Sequence, residues 1–150
     1  MATYPQVLMD VPEDYNGCFG CGRANPIGLK LKFAPEGGGV RTVFTPDDRY
    51  QGWPGYVHGG IIGCLLDEAM SYAAIFQGVR CVTARLEYRL KRLTPIDQPL
   101  TITGHVTRKT RKVIECRATV ALADGSVMAE GTATHFVIGP SSGQVGAQRG

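Results

Sequence analysis

The hydrophobic residues of the chain follow two periods, and each period predicts a different kind of element. The longest apolar run lies between Pro54-Gly55 and Gln77-Gly78 and has the spacing of one long α-helix. Before it, residues 29–33 and 40–45 alternate as half-buried strands do, with a hairpin turn at 35–39. Four alternating segments follow, joined by tight turns: residues 81–90, 100–107, 113–122 and 127–138. This order predicts an α+β fold, in which a mostly antiparallel sheet wraps one helix.

The predicted helix has two unlike faces. At about 100° per residue, five small residues fall within roughly 60° of Asp67. The opposite face is apolar and suits the concave side of a sheet. The small residues are Gly60, Gly63, Cys64, Ser71 and Ala74, and the apolar ones are Ile61, Ile62, Leu65, Leu66, Ala69, Tyr72, Ala73 and Phe76.

Two adjacent acids lie in the middle of this apolar helix. Small neighbours let a ligand or another backbone approach Asp67 closely, which makes it a candidate catalytic carboxylate. The alternative is that Asp67 caps, pairs with an arginine of the sheet, or lies at a subunit interface. Glu68 falls at the border of the apolar face, and we give it a structural role, such as an ion pair across a dimer.

The start of the helix adds a second candidate group. His58-Gly59-Gly60 presents backbone N–H groups without side chains at the positive end of the helix dipole, where they can polarise a carbonyl. His58 is expected to orient this end through a hydrogen bond to the backbone rather than to carry a proton. Eight residues separate Gly59 from Asp67, about 12 Å along a helix, so one carbonyl reaches both groups only if two subunits share the site.

Composition narrows the class of protein. The chain has 150 residues, enough for one domain, and 16 basic against 13 acidic side chains do not favour nucleic-acid binding. The N-terminal sequence lacks a signal-peptide pattern, and no apolar run approaches a membrane span, so we expect a cytoplasmic protein without membrane contact. We expect an N-terminal extension at 1–17, one domain at 18–138, and a disordered Gly/Ser-rich tail at 139–150.

The five cysteines are an odd number, which suits a reducing compartment. Cys18 and Cys21 have the spacing of a metal or redox pair, but zinc needs two further ligands and the chain has no second pair at suitable spacing. We therefore interpret the pair as part of a structural turn and predict no metal and no cofactor.

The chain resembles the hot-dog-fold acyl-CoA thioesterases of the PaaI-like branch, over residues 18–138. The shared motif is the His58-Gly59-Gly60 start with Asp67 nine residues after the histidine. Thr83 in the next strand and the basic-Pro pattern at 91–95 extend it, and the opening around Cys18 and Cys21 is similar to that of many members.

The resemblance implies roles for particular residues. Asp67 is implied as nucleophile or general base, Gly59 N–H as the group that polarises the thioester carbonyl, and Thr83 as a hydroxyl that completes the site. Strand alternation places Thr83 on the polar side, away from Val82 and Ala84, so a structural role is the alternative. Many members carry an asparagine six residues before the histidine. Here Gly52 stands in that place, and the amide of the adjacent Gln51 is the candidate substitute.

An acyl-CoA substrate carries phosphates, which basic side chains bind. Lys91, Arg92 and Arg108 are candidates for this contact, and Lys109, Arg111 and Lys112 are further ones. Gly60 and Ser71, on the face of Asp67, are predicted to contact the substrate. The resemblance also implies a homodimer or a dimer of dimers.

Two other functions fit the same fold. One is a non-catalytic acyl-CoA or lipid-binding module, which the intact Asp67 disfavours. The other is a hot-dog dehydratase, which needs an acid and a histidine at the substrate. The remaining histidines, His105 and His135, lie in strand patterns and are interpreted as structural. Aromatic residues near the predicted entrance favour short or aromatic acyl groups over long ones.

Overall fold

The computed structural model describes residues 15–140, which form six strands and one long helix. The elements in chain order are β1 Ala34–Glu36, β2 Gly39–Phe44, a 3₁₀ turn at Asp48–Tyr50, α1 Gly59–Phe76, β3 Val79–Leu90, β4 Leu100–Lys109, β5 Val113–Leu122 and β6 Val127–Pro140. The predicted extension and tail lie outside the described residues, except for 15–17 and for Gly139 and Pro140, which continue β6 past the expected domain end.

All six strands belong to one antiparallel sheet with the order β1-β2-β4-β5-β6-β3. α1 connects β2 to β3, so the helix carries the chain from one side of the sheet to the opposite edge. The helix lies on one face, as the apolar pattern predicts. Gly104 permits the closest approach to β4, because a Cβ there would lie 2.6 Å from the Ala69 carbonyl oxygen.

The core forms between the apolar face of α1 and the sheet. Leu65, Leu66 and Ala69 of the helix are fully buried and belong to one core cluster with Ile102 and Ile114 of the sheet. The ring of Phe33 stacks on that of Tyr72 at 4.9 Å. By length and composition the helix is long and apolar enough to cross a membrane, which corrects the expectation that no apolar run approaches such a span. Here its apolar face packs against the sheet.

The first predicted strand is wrong. Leu29, Leu31 and Phe33 are buried as the alternation implies, but residues 29–33 pair with no strand within residues 15–140. The N–H groups of Leu29 and Leu31 instead donate to the carbonyls of Phe19 and Gly20 in the N-terminal loop, at 2.8 and 2.9 Å. The alternation therefore reports burial beneath this loop, and the strand itself begins at Ala34.

Candidate active site

A hydrogen bond connects Asp67, at the middle of α1, to Thr83 on β3. Asp67 lies half-buried on the third turn of α1, and the Thr83 hydroxyl on β3 donates a hydrogen bond of 2.8 Å to its Oδ1. Hydrogen bonds to a charged acceptor are stronger than those between neutral groups. Thr83 therefore fixes the orientation of the carboxylate, and Oδ2 accepts no other hydrogen bond among the described residues.

The hydrogen bond to Asp67 shows that the Thr83 side chain lies on the opposite face of β3 from the one that strand alternation predicts. The pairing of β3 with β6 shifts register between Thr83 and Arg85, which makes Ala84 an extra residue in β3. A bulge reverses the inward and outward alternation of a strand. Thr83 therefore points at α1, as Tyr88 does beyond the bulge, while Arg85 pairs with Glu87 at 3.0 Å.

His58 caps the helix in the way its position predicts. Its Nδ1 accepts a hydrogen bond of 2.9 Å from the Gly60 N–H, and its backbone φ of −59° and ψ of 134° precede the first helical residue. The imidazole thus satisfies one of the unpaired donors of the first turn. The same bond occupies the Gly60 amide, so the predicted substrate contact through that group is not supported.

Gly59 is the first residue of α1, and its N–H has no acceptor among residues 15–140. Its carbonyl accepts a hydrogen bond of 3.2 Å from the Tyr88 hydroxyl. The unpaired N–H lies at the positive end of the helix dipole, where a partly negative oxygen is stabilised. α1 runs unbroken from Gly59 past Asp67, which keeps the two groups about 12 Å apart within one chain.

A cavity of about 440 Å³ opens at the helix start. His58 and Gly59 lie in its wall, and Lys91 and Arg92 line it as the phosphate prediction requires. Apolar side chains complete the lining, among them Trp53, which is 81% exposed. The cavity therefore combines an apolar wall, two cations and a free backbone donor.

Three further predicted site residues neither line this cavity nor take part in the Asp67–Thr83 hydrogen bond. The Gln51 Oε1 accepts a hydrogen bond of 3.1 Å from the Gly55 N–H, so its side chain closes its own loop. Arg108 lies near the β4–β5 turn, with its Nη1 3.7 Å from Glu115 Oε1. Ser71 lines a separate cavity of about 240 Å³ at the other end of the small-residue face. Local sequence spacing could not show these placements, because each depends on how loops and strands pack.

Tyr88 is a site residue that the sequence reading missed. Besides its bond to Gly59, its ring covers Gly63, where an added Cβ would lie 2.7 Å from the ring. The small-residue face of the helix is therefore partly filled by β3. A signal existed, since alternation beyond Leu86 places Tyr88 on the same side of β3 as the core.

Glu68 has a different environment from Asp67. Gly20 packs directly on its side chain, and the Cys18 Sγ lies 3.7 Å from its Oε1. Burial raises the pKa of the Glu68 carboxyl, and the charge of Asp67 raises it further. The N-terminal loop of the same chain covers Glu68, which disfavours the predicted ion pair across a dimer. Of the two acids, Asp67 therefore remains the candidate for the catalytic carboxylate.

His135 lies on β6 next to this region and is fully buried. In the antiparallel pairing it is the partner of Thr83 on one side and of Ile114 on the other. Neither ring nitrogen makes a well-formed hydrogen bond among the described residues, although the Ile114 backbone offsets part of the effect of burial on the pKa. Burial lowers the pKa of His135, which favours the neutral imidazole. The structural interpretation of this histidine fits its position in the core.

A six-stranded antiparallel sheet wraps one helix, which is the hot-dog fold predicted from the sequence. The helix has a carboxylate at its middle and, among the described residues, an unpaired N–H donor at its start. The chain belongs to the Thioesterase superfamily, whose family model matches residues 54–129. The matched interval contains His58, Gly59, Asp67 and Thr83.

A relative and one solved structure agree with this family, and a second solved structure shares the fold. Human acyl-coenzyme A thioesterase THEM5 is 36% identical over 55 residues, which are 37% of this chain and 22% of that protein. A crystal structure of a thioesterase superfamily protein has a TM-score of 0.77 and 30% identity over 90% of this chain and 70% of its own. A hypothetical thioesterase from Streptococcus pneumoniae, crystallised with coenzyme A, shares the fold at a TM-score of 0.70 and 22% identity, over 75% and 88% of the two chains.

Proposed function

We propose that the chain hydrolyses acyl-CoA thioesters at a site shared by two subunits. The observation that carries the proposal is the pairing of a carboxylate held by Thr83 with an unpaired N–H at Gly59 on the same helix. A thioester carbonyl needs one donor for the oxyanion and one carboxylate, and the chain supplies both. The family, and the coenzyme A bound by the Streptococcus pneumoniae structure, support the substrate class.

Each group has one task in the reaction. The Gly59 N–H binds the carbonyl oxygen and strengthens this bond as negative charge develops there. The Asp67 carboxylate either takes a proton from the attacking water or attacks the carbonyl carbon itself, with water then releasing the acyl group. The C–S bond breaks and the CoA thiolate leaves, and the products are the free acid and CoA.

The distance between the groups supports a dimer. About 12 Å along one helix separates Gly59 from Asp67, so the N–H of one subunit and the carboxylate of its partner would meet at the carbonyl. The cavity at the helix start carries apolar side chains that are largely exposed in the single chain, including Leu93 at 69% and Leu90 at 52%. A second subunit and the acyl group would cover them.

The first test is release of free thiol from acyl-CoAs with short, long and aromatic acyl groups. Wild type is expected to turn over at least one class, and Asp67→Asn is expected to lose orders of magnitude of kcat without loss of folding, because only the basicity of the side chain changes. Asp97→Asn is the matched control, since Asp97 is exposed and has a positive φ that asparagine tolerates. No turnover by folded wild type on any substrate would favour the binding module.

A further inference from the structure

Three possible metal ligands from two distant parts of the sequence meet beside the helix. Cys18 and Cys21 lie in the N-terminal loop, and Glu68 lies on α1. Their sulfur and carboxylate ligand atoms are all within 4.8 Å of one another. The sequence shows only the cysteine pair, and folding adds the carboxylate as a third donor.

The spacing of these atoms fits a single ion. In a tetrahedral site with Zn–S of about 2.3 Å and Zn–O of about 2.1 Å, a sulfur and an oxygen ligand lie roughly 3.6 Å apart. The Cys18 Sγ and the Glu68 Oε1 are 3.7 Å apart. Two sulfur ligands of one such ion lie about 3.8 Å apart. The ligand atoms of the three residues lie within 4.8 Å of one another, so binding one ion requires at most a small side-chain rotation.

The loop is built to hold this arrangement. The Gly22 N–H donates to the Cys18 carbonyl at 2.8 Å, which turns the chain tightly between the two cysteines. Gly20 leaves no room for a side chain, since an added Cβ would lie 2.2 Å from the Glu68 Cδ. The Leu31 N–H donates to the Gly20 carbonyl at 2.9 Å and fixes the loop on the domain.

A second observation points to a ligand in the same place. Tyr72 is 2% exposed and lines the cavity of about 240 Å³ together with both cysteines and Glu68. Among the described residues its hydroxyl makes no well-formed hydrogen bond, and the polar group it faces is the Cys21 thiol, which is a weak acceptor. A buried hydroxyl that is so weakly satisfied is costly. A water bound to a metal ion in this cavity would give it a strong partner.

We propose that Cys18, Cys21 and Glu68 bind a zinc ion whose fourth ligand is a water held by the Tyr72 hydroxyl. Two thiolates exclude magnesium and calcium, which prefer oxygen ligands, and a mixed sulfur and oxygen set of four suits zinc. The ion ties the N-terminal loop to the helix next to Asp67. Its role is structural, and the proposed hydrolysis does not depend on it.

The experiment measures metal directly. Untagged protein purified without chelators, or refolded with excess zinc, is expected to contain about one zinc per chain by elemental analysis. Replacement by Co²⁺ is expected to give thiolate-to-cobalt charge-transfer bands whose intensity fits two thiolates. Cys18→Ala, Cys21→Ala and Glu68→Gln are each expected to lose most of the bound metal.

Cys116→Ala is the control, because Cys116 is a buried thiol on β5 outside the cluster, and it should keep the metal. Wild type that takes up neither zinc nor cobalt would overturn the proposal. So would metal retained by folded Cys18→Ala and Cys21→Ala. If a cysteine variant does not fold, the cobalt spectrum of wild type decides, since bands without thiolate character would also overturn it.

Discussion

The hydroxyl of Thr83 donates a hydrogen bond of 2.8 Å to Oδ1 of Asp67, and this bond joins the edge strand β3 to the middle of the helix. The bond exists because a bulge at Ala84 turns Thr83 towards α1. A carboxylate with one oxygen held in this way has a defined orientation, and its second oxygen remains available to a water or a substrate. Thr83 is therefore a positioning residue for the proposed reaction.

We predict that Thr83→Val lowers kcat/KM for an acyl-CoA substrate by about tenfold to a hundredfold, because a hydrogen bond to a charged group contributes about 1.5–3 kcal/mol. Thr83→Ser keeps the hydroxyl and should recover most of the activity. Thr132→Val, at an exposed threonine of β6, is the control in the same assay. A fully active Thr83→Val enzyme would show that the bond has no part in the reaction.

The Gly59 N–H can be removed without breaking the helix. Proline is favoured at the first helical position, and the His58 ψ of 134° is compatible with a following proline. We predict that Gly59→Pro lowers kcat by about 10²–10³-fold, the loss typical of an oxyanion donor. Gly59→Ala adds a similar Cβ beside Leu90 but keeps the N–H, and it should remain far more active. Equal losses in both variants would point to steric damage.

A shared site makes a prediction for mixed dimers. Refolding Asp67→Asn together with Gly59→Pro in equal amounts should give half mixed dimers, each with one intact site, and so restore roughly a quarter of wild-type activity. Each variant refolded alone should stay inactive and is the control. No recovery, with mixed dimers shown by native mass spectrometry, would place both groups of a site within one subunit.

The sequence predicted the helix, its two faces and five of the six strands because these depend on local periodicity. Residues 29–33 alternate as a strand does, yet their N–H groups bond to the N-terminal loop. Alternation reports which side chains are buried and does not identify the hydrogen-bond partner of the backbone. The same limit explains Thr83, since the bulge at Ala84 is set by pairing with β6.

For the candidate site, the sequence identified the groups on or beside the helix. His58, Gly59 and Asp67 follow from helix geometry, which fixes their relative positions within one element. The Gln51 side chain takes its place from the conformation of its own loop, and the Arg108–Glu115 pair depends on the pairing of β4 with β5. The contact of Glu68 with Cys18 depends on packing between distant segments. No spacing rule within a single sequence gives those contacts.

The approach of α1 to β4 depends on Gly104. We predict that Gly104→Ala destabilises the fold by about 1–3 kcal/mol or more, because the added methyl would lie 2.6 Å from the Ala69 carbonyl oxygen, and backbone cannot move aside cheaply. Gly139→Ala, at another strand glycine with open space around it, should change stability little. Urea unfolding of both variants measures the difference. Equal stability of the two would mean that the helix shifts without cost.

His135 makes stability depend on pH. Burial lowers its pKa in the folded state below the ordinary value of 6.5, and the charge of Asp67 offsets part of that effect. Below the ordinary pKa the unfolded chain therefore binds more protons than the folded one, so this contribution to stability is present above about pH 6.5 and is lost as the pH falls. His135→Leu removes the group, and since neither ring nitrogen makes a well-formed hydrogen bond among the described residues, the substitution should cost little at neutral pH. We predict that the variant gains stability relative to wild type between pH 7 and pH 5, by up to about 1.4 kcal/mol per pH unit.

Urea unfolding across this range is the measurement, and His105→Leu, at an exposed histidine of β4, is the control. Parallel curves for His135→Leu and wild type would show that protonation of His135 is not linked to unfolding.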